Sequence, residues 1–200
     1  TCNLSQRMKR IGLTGGIGSG KTTVAQIFKT LSIPVFEADN VSRELLQSNQ
    51  LVVSEVKLLL GDDVYVNEQA DRSAIAQIVF NDSSKLKALN GILHPAVFSS
   101  FQKWSDDFND RVPYCIKEAA ILFESGGSEQ CDEVISVTAP IDLRIKRVMN
   151  RDEVSKEEVE ARMANQLSEQ EITTKSDHII VNDGVEALIP QVLRIHSLFS

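Results

Sequence analysis

Gly15-Gly16-Ile17-Gly18-Ser19-Gly20-Lys21-Thr22 follows the apolar run Ile11-Gly12-Leu13 and precedes Thr23-Val24-Ala25-Gln26-Ile27-Phe28, a run of helical pattern. Gly15 and Gly20 frame G-x-x-x-x-G-K-T, the Walker A pattern. Glycines let the backbone curl until successive N–H groups point inward at phosphate oxygens. The helix that follows adds the positive end of its dipole. Lys21 is spaced to reach β- and γ-phosphates, and the Thr22 hydroxyl to ligate Mg²⁺. Gly16, Ile17, Gly18, Ser19, Gly20, Lys21, Thr22 and Thr23 are therefore the candidate nucleotide-binding residues. A strand before and a helix after separate this reading from a chance glycine-rich turn. The motif predicts a nucleoside triphosphate ligand and leaves open what becomes of the γ-phosphate.

The rest of the chain has the pattern of an α/β fold. Apolar runs alternate with helical segments, which predicts a parallel sheet with helices on both faces. Strands are expected at 9–14, 33–39, within 114–123, at 133–137 and at 178–181. Helices are expected at 21–31, 40–60, 72–80, 83–108, 141–151, 155–170 and 185–198, with Pro95 kinking or restarting the fourth. Residues 8–39 read as core with the phosphate loop and strands one and two. Residues 40–109 read as an almost purely helical acceptor-binding domain. Residues 110–143 return to the core with strands three and four, 144–175 form a charged helical lid, and 176–200 close the core.

Composition narrows the function classes. Two hundred residues at 42% hydrophobic and 24% charged fit one α/β core with small insertions. Net charge −7 argues against a nucleic-acid partner, which needs a broad basic surface. No apolar run approaches the roughly 20 residues that span a bilayer, and residues 1–10 lack the apolar core of a signal peptide. Cys2, Cys115 and Cys131 are odd in number and lack metal-ligand spacing, so a reducing, cytoplasmic setting is expected. Met8 followed by Lys9-Arg10-Ile11 would be a natural start, so residues 1–7 are expected to be an extension detached from the fold.

Outside the loop, a few positions carry chemistry. Glu37 and Asp39, two apart at the end of the second expected strand, would share a face. Ligands of open parallel sheets sit beyond the carboxyl ends of strands. A carboxylate there can take a proton from an attacking hydroxyl or hold Mg²⁺ through water; equally, Asp39 can cap the helix that follows. Arg43, one turn on, is placed either to hold an acceptor phosphate or to face solvent. His94 beside Pro95 is either aimed by an irregular backbone or structural. Glu118 and Glu124 are candidates for contacts to metal-bound water or for salt bridges at the sheet edge. Arg144, Lys146, Arg147 and Arg151 put four bases into eight residues without an acid, with 144, 147 and 151 on one helical face. Lid arginines can stabilise a transferred phosphoryl group; a solvated face paired to the acids at 152–160 is the other reading. Arg162 and Gln166, one turn apart, are further candidates facing the nucleotide.

Taken in order, these pieces resemble the dephospho-coenzyme A kinases. The resemblance rests on Gly12 to Ala25, Glu37-Ala38-Asp39 with Arg43, Leu93-His94-Pro95, Ile121-Leu122-Phe123-Glu124, Arg147-x-x-x-Arg151-Asp152, Arg162-x-x-x-Gln166 and Asn182-Asp183-Gly184. It spans about residues 8–198. It implies a P-loop kinase of the nucleotide-kinase type, with a five-stranded parallel sheet flanked by helices, a helical acceptor-binding insert and a lid. It further implies ATP- and Mg²⁺-dependent phosphorylation of the ribose 3′-hydroxyl of dephospho-CoA, the last step of coenzyme A synthesis. Carried over residue by residue, Asp39 is the base, Lys21, Arg147 and Arg151 are catalytic, and Arg147 and Asn182 join the loop at the nucleotide. Arg43, His94, Glu124 and Asp39 lie toward the acceptor, and Thr22 is the metal ligand with Asp39 behind water. Two departures stand out. Glu37 replaces the usual aspartate, and Glu118-Ala119-Ala120 stands where an apolar residue, a proline and leucines are expected. A monomer or weak oligomer is expected. The rival readings are another nucleotide or small-molecule kinase on this architecture, and a regulatory NTP-binding switch.

Overall fold

The computed structural model describes residues 7–109 and 111–200. The expectation of a detached extension at 1–7 therefore falls, Arg7 apart, outside the described residues, as does Cys2. The chain divides into two compact units, one running to Glu37 and resuming at Trp104, the other Ala38–Lys103.

The first unit is built on a five-stranded sheet of β1 (Lys9–Thr14), β2 (Val35–Glu37), β5 (Tyr114–Glu118), β6 (Glu133–Thr138) and β7 (His178–Val181). The order is β2-β5-β1-β6-β7 and all pairings are parallel. This is the expected α/β class, with β1 at the centre. Ile11 and Leu13 of β1, Ile116 of β5, Ile135 and Val137 of β6 and Ile180 of β7 form one core cluster, all at most 1% exposed. α1 (Lys21–Thr30) packs on it through Val24, Ala25 and Phe28, and α9 (Leu188–Phe199) through Val192, Ile195 and Phe199. Successive residues of β1 and β5 are buried, so these central strands are covered on both faces, which explains their apolar runs in the sequence. Among the described residues no helix is long and apolar enough to cross a membrane.

The second unit contains α2 (Ala38–Ser48), α3 (Gln50–Leu60), a hairpin of β3 (Tyr65–Val66) and β4 (Gln69–Ala70), α4 (Arg72–Phe80) and most of α5 (Ser83–Asp106). Three expectations are corrected here. The second strand ends at Glu37, and Asp39 lies in the first turn of α2. Glu37 and Asp39 therefore do not share a strand face. The helix expected at 40–60 is two helices, because the Asn49 side chain accepts from the N–H groups of Leu51 and Val52 and caps a new one. The segment is also not purely helical. Its hairpin turns on Asn67 (φ 51°) and Glu68 (φ 64°), a pair of left-handed residues that matches a two-residue hairpin loop. α5 continues through Pro95 without a break.

Beyond β6 the segment expected as one helix over 155–170 is also two. α6 (Ile141–Asp152) is followed by α7 (Lys156–Met163) and α8 (Glu169–Lys175). Ser155 with Glu158, and Ser168 with Glu171, form capping boxes that start the last two. Val185 to Ala187 precede α9 and do not belong to it.

One buried charge stands apart from the loop. Lys117, in the middle of β5, is 1% exposed. Its ammonium donates to the Gly127 carbonyl (3.1 Å) and to Gln130 Oε1 (2.7 Å). Burial pulls its pKa down to about 8. The unfolded chain then holds this proton up to its ordinary pKa near 10.5, so stability rises with pH between about 8 and 10.5. Replacing Lys117 by Met removes that rise. Urea unfolding of both proteins at pH 7 to 10 is expected to shift the stability difference toward wild type as pH rises, by up to about 3 kcal/mol. A difference independent of pH would show that Lys117 keeps its ordinary pKa.

Candidate active site

The loop between β1 and α1 is positioned by the central strand and pinned from two sides. Gly18 (φ +79°) passes so close to α6 that a Cβ there would lie 2.5 Å from the Arg144 carbonyl oxygen. Gly20 (φ +91°) passes under Asn182, and a Cβ would meet its Nδ2 at 2.0 Å. No L side chain fits either place, so the glycines answer both to conformation and to space. Gly20 starts α1 without a side-chain cap, and no acid occupies the first turn. The helix start thus keeps amide donors and its positive dipole end for an anion. The Ser19 hydroxyl is buried and has no hydrogen-bond partner among the described residues. Thr22 and Thr23 are exposed at the helix start.

Three cations reach this loop. Lys21 is ion-paired with Glu118 at the carboxyl end of β5, and the two side chains are only 12% and 8% exposed. Arg144, nearly buried, donates from Nε to the Ile17 carbonyl (3.0 Å) and from Nη1 to Glu169 Oε2 (3.3 Å). Arg147, one turn on, donates to the Gly18 carbonyl (3.4 Å) and to both the carbonyl and the side-chain oxygen of Asn182 (3.2 Å each). Asn182 in turn donates to the Ser19 carbonyl (2.7 Å). Gln166 Oε1 accepts the Ile17 N–H (2.8 Å), and its Nε2 donates to the Ala120 carbonyl (3.4 Å). Arg147, Asn182 and Gln166 are thus gathered at the loop.

Other candidates are engaged elsewhere. Arg151 is largely exposed and clamps Asp152 through Nε (2.7 Å) and Nη2 (3.1 Å); Arg162 holds the second oxygen of Asp152 (2.9 Å). These bonds hold the Asp152 carboxyl below its usual range, the Arg151 bond most strongly. Lys146 lines a separate small cavity with Asp142 and Lys156. Glu124 accepts the Leu167 N–H (3.0 Å) and joins the β5–β6 connection to the start of α8. Glu37 pairs with Lys29. In the second unit, Arg43 donates to Asn40 Oδ1 (3.0 Å), and the His94 ring stacks on Phe98 one turn away. Among the described residues no group of three His, Cys, Asp or Glu side chains is set to hold a metal by itself.

Sequence reasoning undervalued two residues. Arg144 appeared only as one base in a run, although its register on α6 places it deepest under the loop. Glu118 was left unassigned between metal contact and salt bridge, and its partner is the loop lysine itself. The end of a strand adjacent to β1 was the available signal, because residues there face the loop that leaves β1.

A family model for dephospho-CoA kinase matches residues 9–187. A dephospho-CoA kinase of Porphyromonas gingivalis is 39% identical over 94% of this chain and 93% of its own length. A solved structure from Thermus thermophilus superposes with TM-score 0.85 at 31% identity, covering 96% of this chain and 97% of that one. The dephospho-CoA kinase of Campylobacter jejuni superposes with TM-score 0.69 at 26% identity, over 94% and 95%. The chain belongs to the dephospho-CoA kinase family.

Proposed function

We propose that the protein transfers the γ-phosphoryl group of ATP to the ribose 3′-hydroxyl of dephospho-CoA, giving coenzyme A and ADP. The observation that carries this is the loop: an uncapped helix start ringed by Lys21, Arg144 and Arg147. Phosphoryl transfer asks the protein mainly for position and for positive charge where the transferred group becomes negative. Both demands match that arrangement. Family membership supplies the acceptor.

The residues also fit Mg²⁺ as the ion carried by ATP. The exposed Thr22 hydroxyl at the helix start is a hard oxygen donor of the kind that Mg²⁺ takes. Thr22 would hold the ion, Asp39 would stand behind a water, and the ion would neutralise charge on the β- and γ-phosphates. Asp39 takes the proton as the 3′-oxygen bonds to the γ-phosphorus, and the bond to the β–γ bridging oxygen breaks. Lys21 leaves Glu118 for the phosphates, and Arg147 stabilises the group in transfer. Gly16 to Thr23 and Asn182 shape the nucleotide site. Arg43, His94 and Glu124 serve the acceptor. Residues 144–175 act as the lid, in which Arg151 must leave Asp152 to reach the nucleotide. Cysteines without metal-ligand spacing favour a reducing, cytoplasmic setting for this reaction, and its proposed working form is a monomer or weak oligomer.

Incubation with ATP, Mg²⁺ and dephospho-CoA, AMP or CMP is expected to phosphorylate dephospho-CoA. Turnover of another acceptor without it would overturn the proposal. Asp39→Asn is expected to bind ATP as wild type does and to lose about two orders of magnitude or more in kcat. Near-normal turnover would remove Asp39 as the base. Arg147→Ala is expected to lower kcat by about a hundredfold with a smaller change in acceptor KM. A change confined to acceptor KM would move Arg147 to the acceptor instead.

A further inference from the structure

Within the second unit, the exposed face of α2 and the start of α4 border an open depression of about 550 Å³ lined by Arg43, Glu44, Gln47, Ser48 and Arg72. Two guanidinium groups border it. Among the described residues neither forms an ion pair with a carboxylate: Arg43 donates to Asn40, and the Asp71 carboxylate beside Arg72 is occupied in capping α4, accepting from Ser73 and Ala74 N–H (3.0 Å each). Glu44 leaves the lining with one net positive charge. Two guanidinium groups on one net-positive, open surface are a recognition element for an anion with several oxygens.

The placement of Arg72 is built. Gln47 Oε1 accepts the Ala70 N–H (2.9 Å), and the Tyr65 hydroxyl donates to the Leu46 carbonyl (2.9 Å). These bonds fasten the β3–β4 hairpin to α2, and Arg72 follows the hairpin by two residues. Arg43 stands one turn of α2 beyond Asp39, about 6 Å along the axis. Asp39, Arg43 and Gln47 therefore follow one another at four-residue spacing on one face of α2. An acceptor with its 3′-hydroxyl at Asp39 carries its 5′-diphosphate across the same ribose ring, on the way along that face.

We infer that Arg43 and Arg72 together hold the 5′-diphosphate of the acceptor, making Arg72 a specificity-determining residue. This rests on the acceptor being dephospho-CoA. Arginine matches a diphosphate because its planar fork bonds two oxygens at once. The depression then selects acceptors with a diphosphate on the 5′ side over bare nucleosides.

The test is calorimetric titration of dephospho-CoA and, separately, of ATP into wild type, Arg43→Gln, Arg72→Gln and Arg72→Lys, at two salt concentrations. Both arginines are exposed, and thermal unfolding checks that the variants stay folded. Arg72→Gln and Arg43→Gln are each expected to weaken dephospho-CoA binding by about tenfold or more. They are also expected to flatten its salt dependence and to leave ATP binding within about twofold. Arg72→Lys is expected to keep part of the affinity and the salt dependence, as a point charge does. Unchanged dephospho-CoA affinity in Arg72→Gln, an unchanged salt slope, or equal weakening toward ATP would overturn the assignment. Wild-type protein that neither binds nor phosphorylates dephospho-CoA would instead refute the acceptor.

Discussion

The bond from Arg144 to the Ile17 carbonyl holds the rest of the nucleotide-binding end together. A glycine-rich loop has little side-chain mass with which to fix itself, and its free conformational entropy opposes any single shape. Here the shape is imposed from outside. Arg144 rises from α6 to bind one loop carbonyl, Arg147 approaches a second, and Asn182 takes a third. With three carbonyls bound from outside, the peptide planes of the loop, and with them its amides, are fixed in orientation. Gly18 and Gly20 are the places where α6 and Asn182 come closest, so the same constraint that orients the amides requires the glycines.

That arrangement concentrates positive charge inside an acidic protein. Burying Lys21 without a partner would be costly, and Glu118 supplies one. The pair is not simply a stabiliser, because a buried ion pair rarely repays its desolvation. Its consequence is functional: Lys21 is held at the loop while its carboxylate partner stands at the end of a strand bonded directly to β1. Gln166 does the same for the Ile17 amide. The Lys21 ammonium and the Ile17 amide are thus both matched by protein oxygens, the chemistry that a phosphate oxygen shares.

How much of this was legible follows from which physical signals are local. The five core strands were readable because buried parallel strands are continuous apolar runs bounded by turn residues. The loop was readable because its chemistry admits few residues. Helix breaks were harder. Asn49 and Ser168 restart helices by side-chain capping inside segments that read as one helix. The hairpin was missed because Asn67-Glu68 lacks the glycine that marks a two-residue turn, and its strands are two residues long. Asp39 was misplaced by two residues: the stretch from Ile33 does not mark that the strand stops at Glu37 and that α2 starts at Ala38.

The candidate site divides along the same line. Lys21 was named from the loop motif and Arg147 from its helix register, Asn182 came with the family resemblance, and the three meet at the loop. Arg72 could not be named that way, because its position depends on Gln47 and Tyr65 tying a hairpin to α2, contacts between residues 19 to 23 apart that no periodicity encodes. Spacing along an element finds groups that act from one helix or one loop. Groups that act from two elements become visible only when the contacts joining those elements are known. Arg43 and Arg72 are such a pair, and the smallest element of the fold is what brings them to one depression.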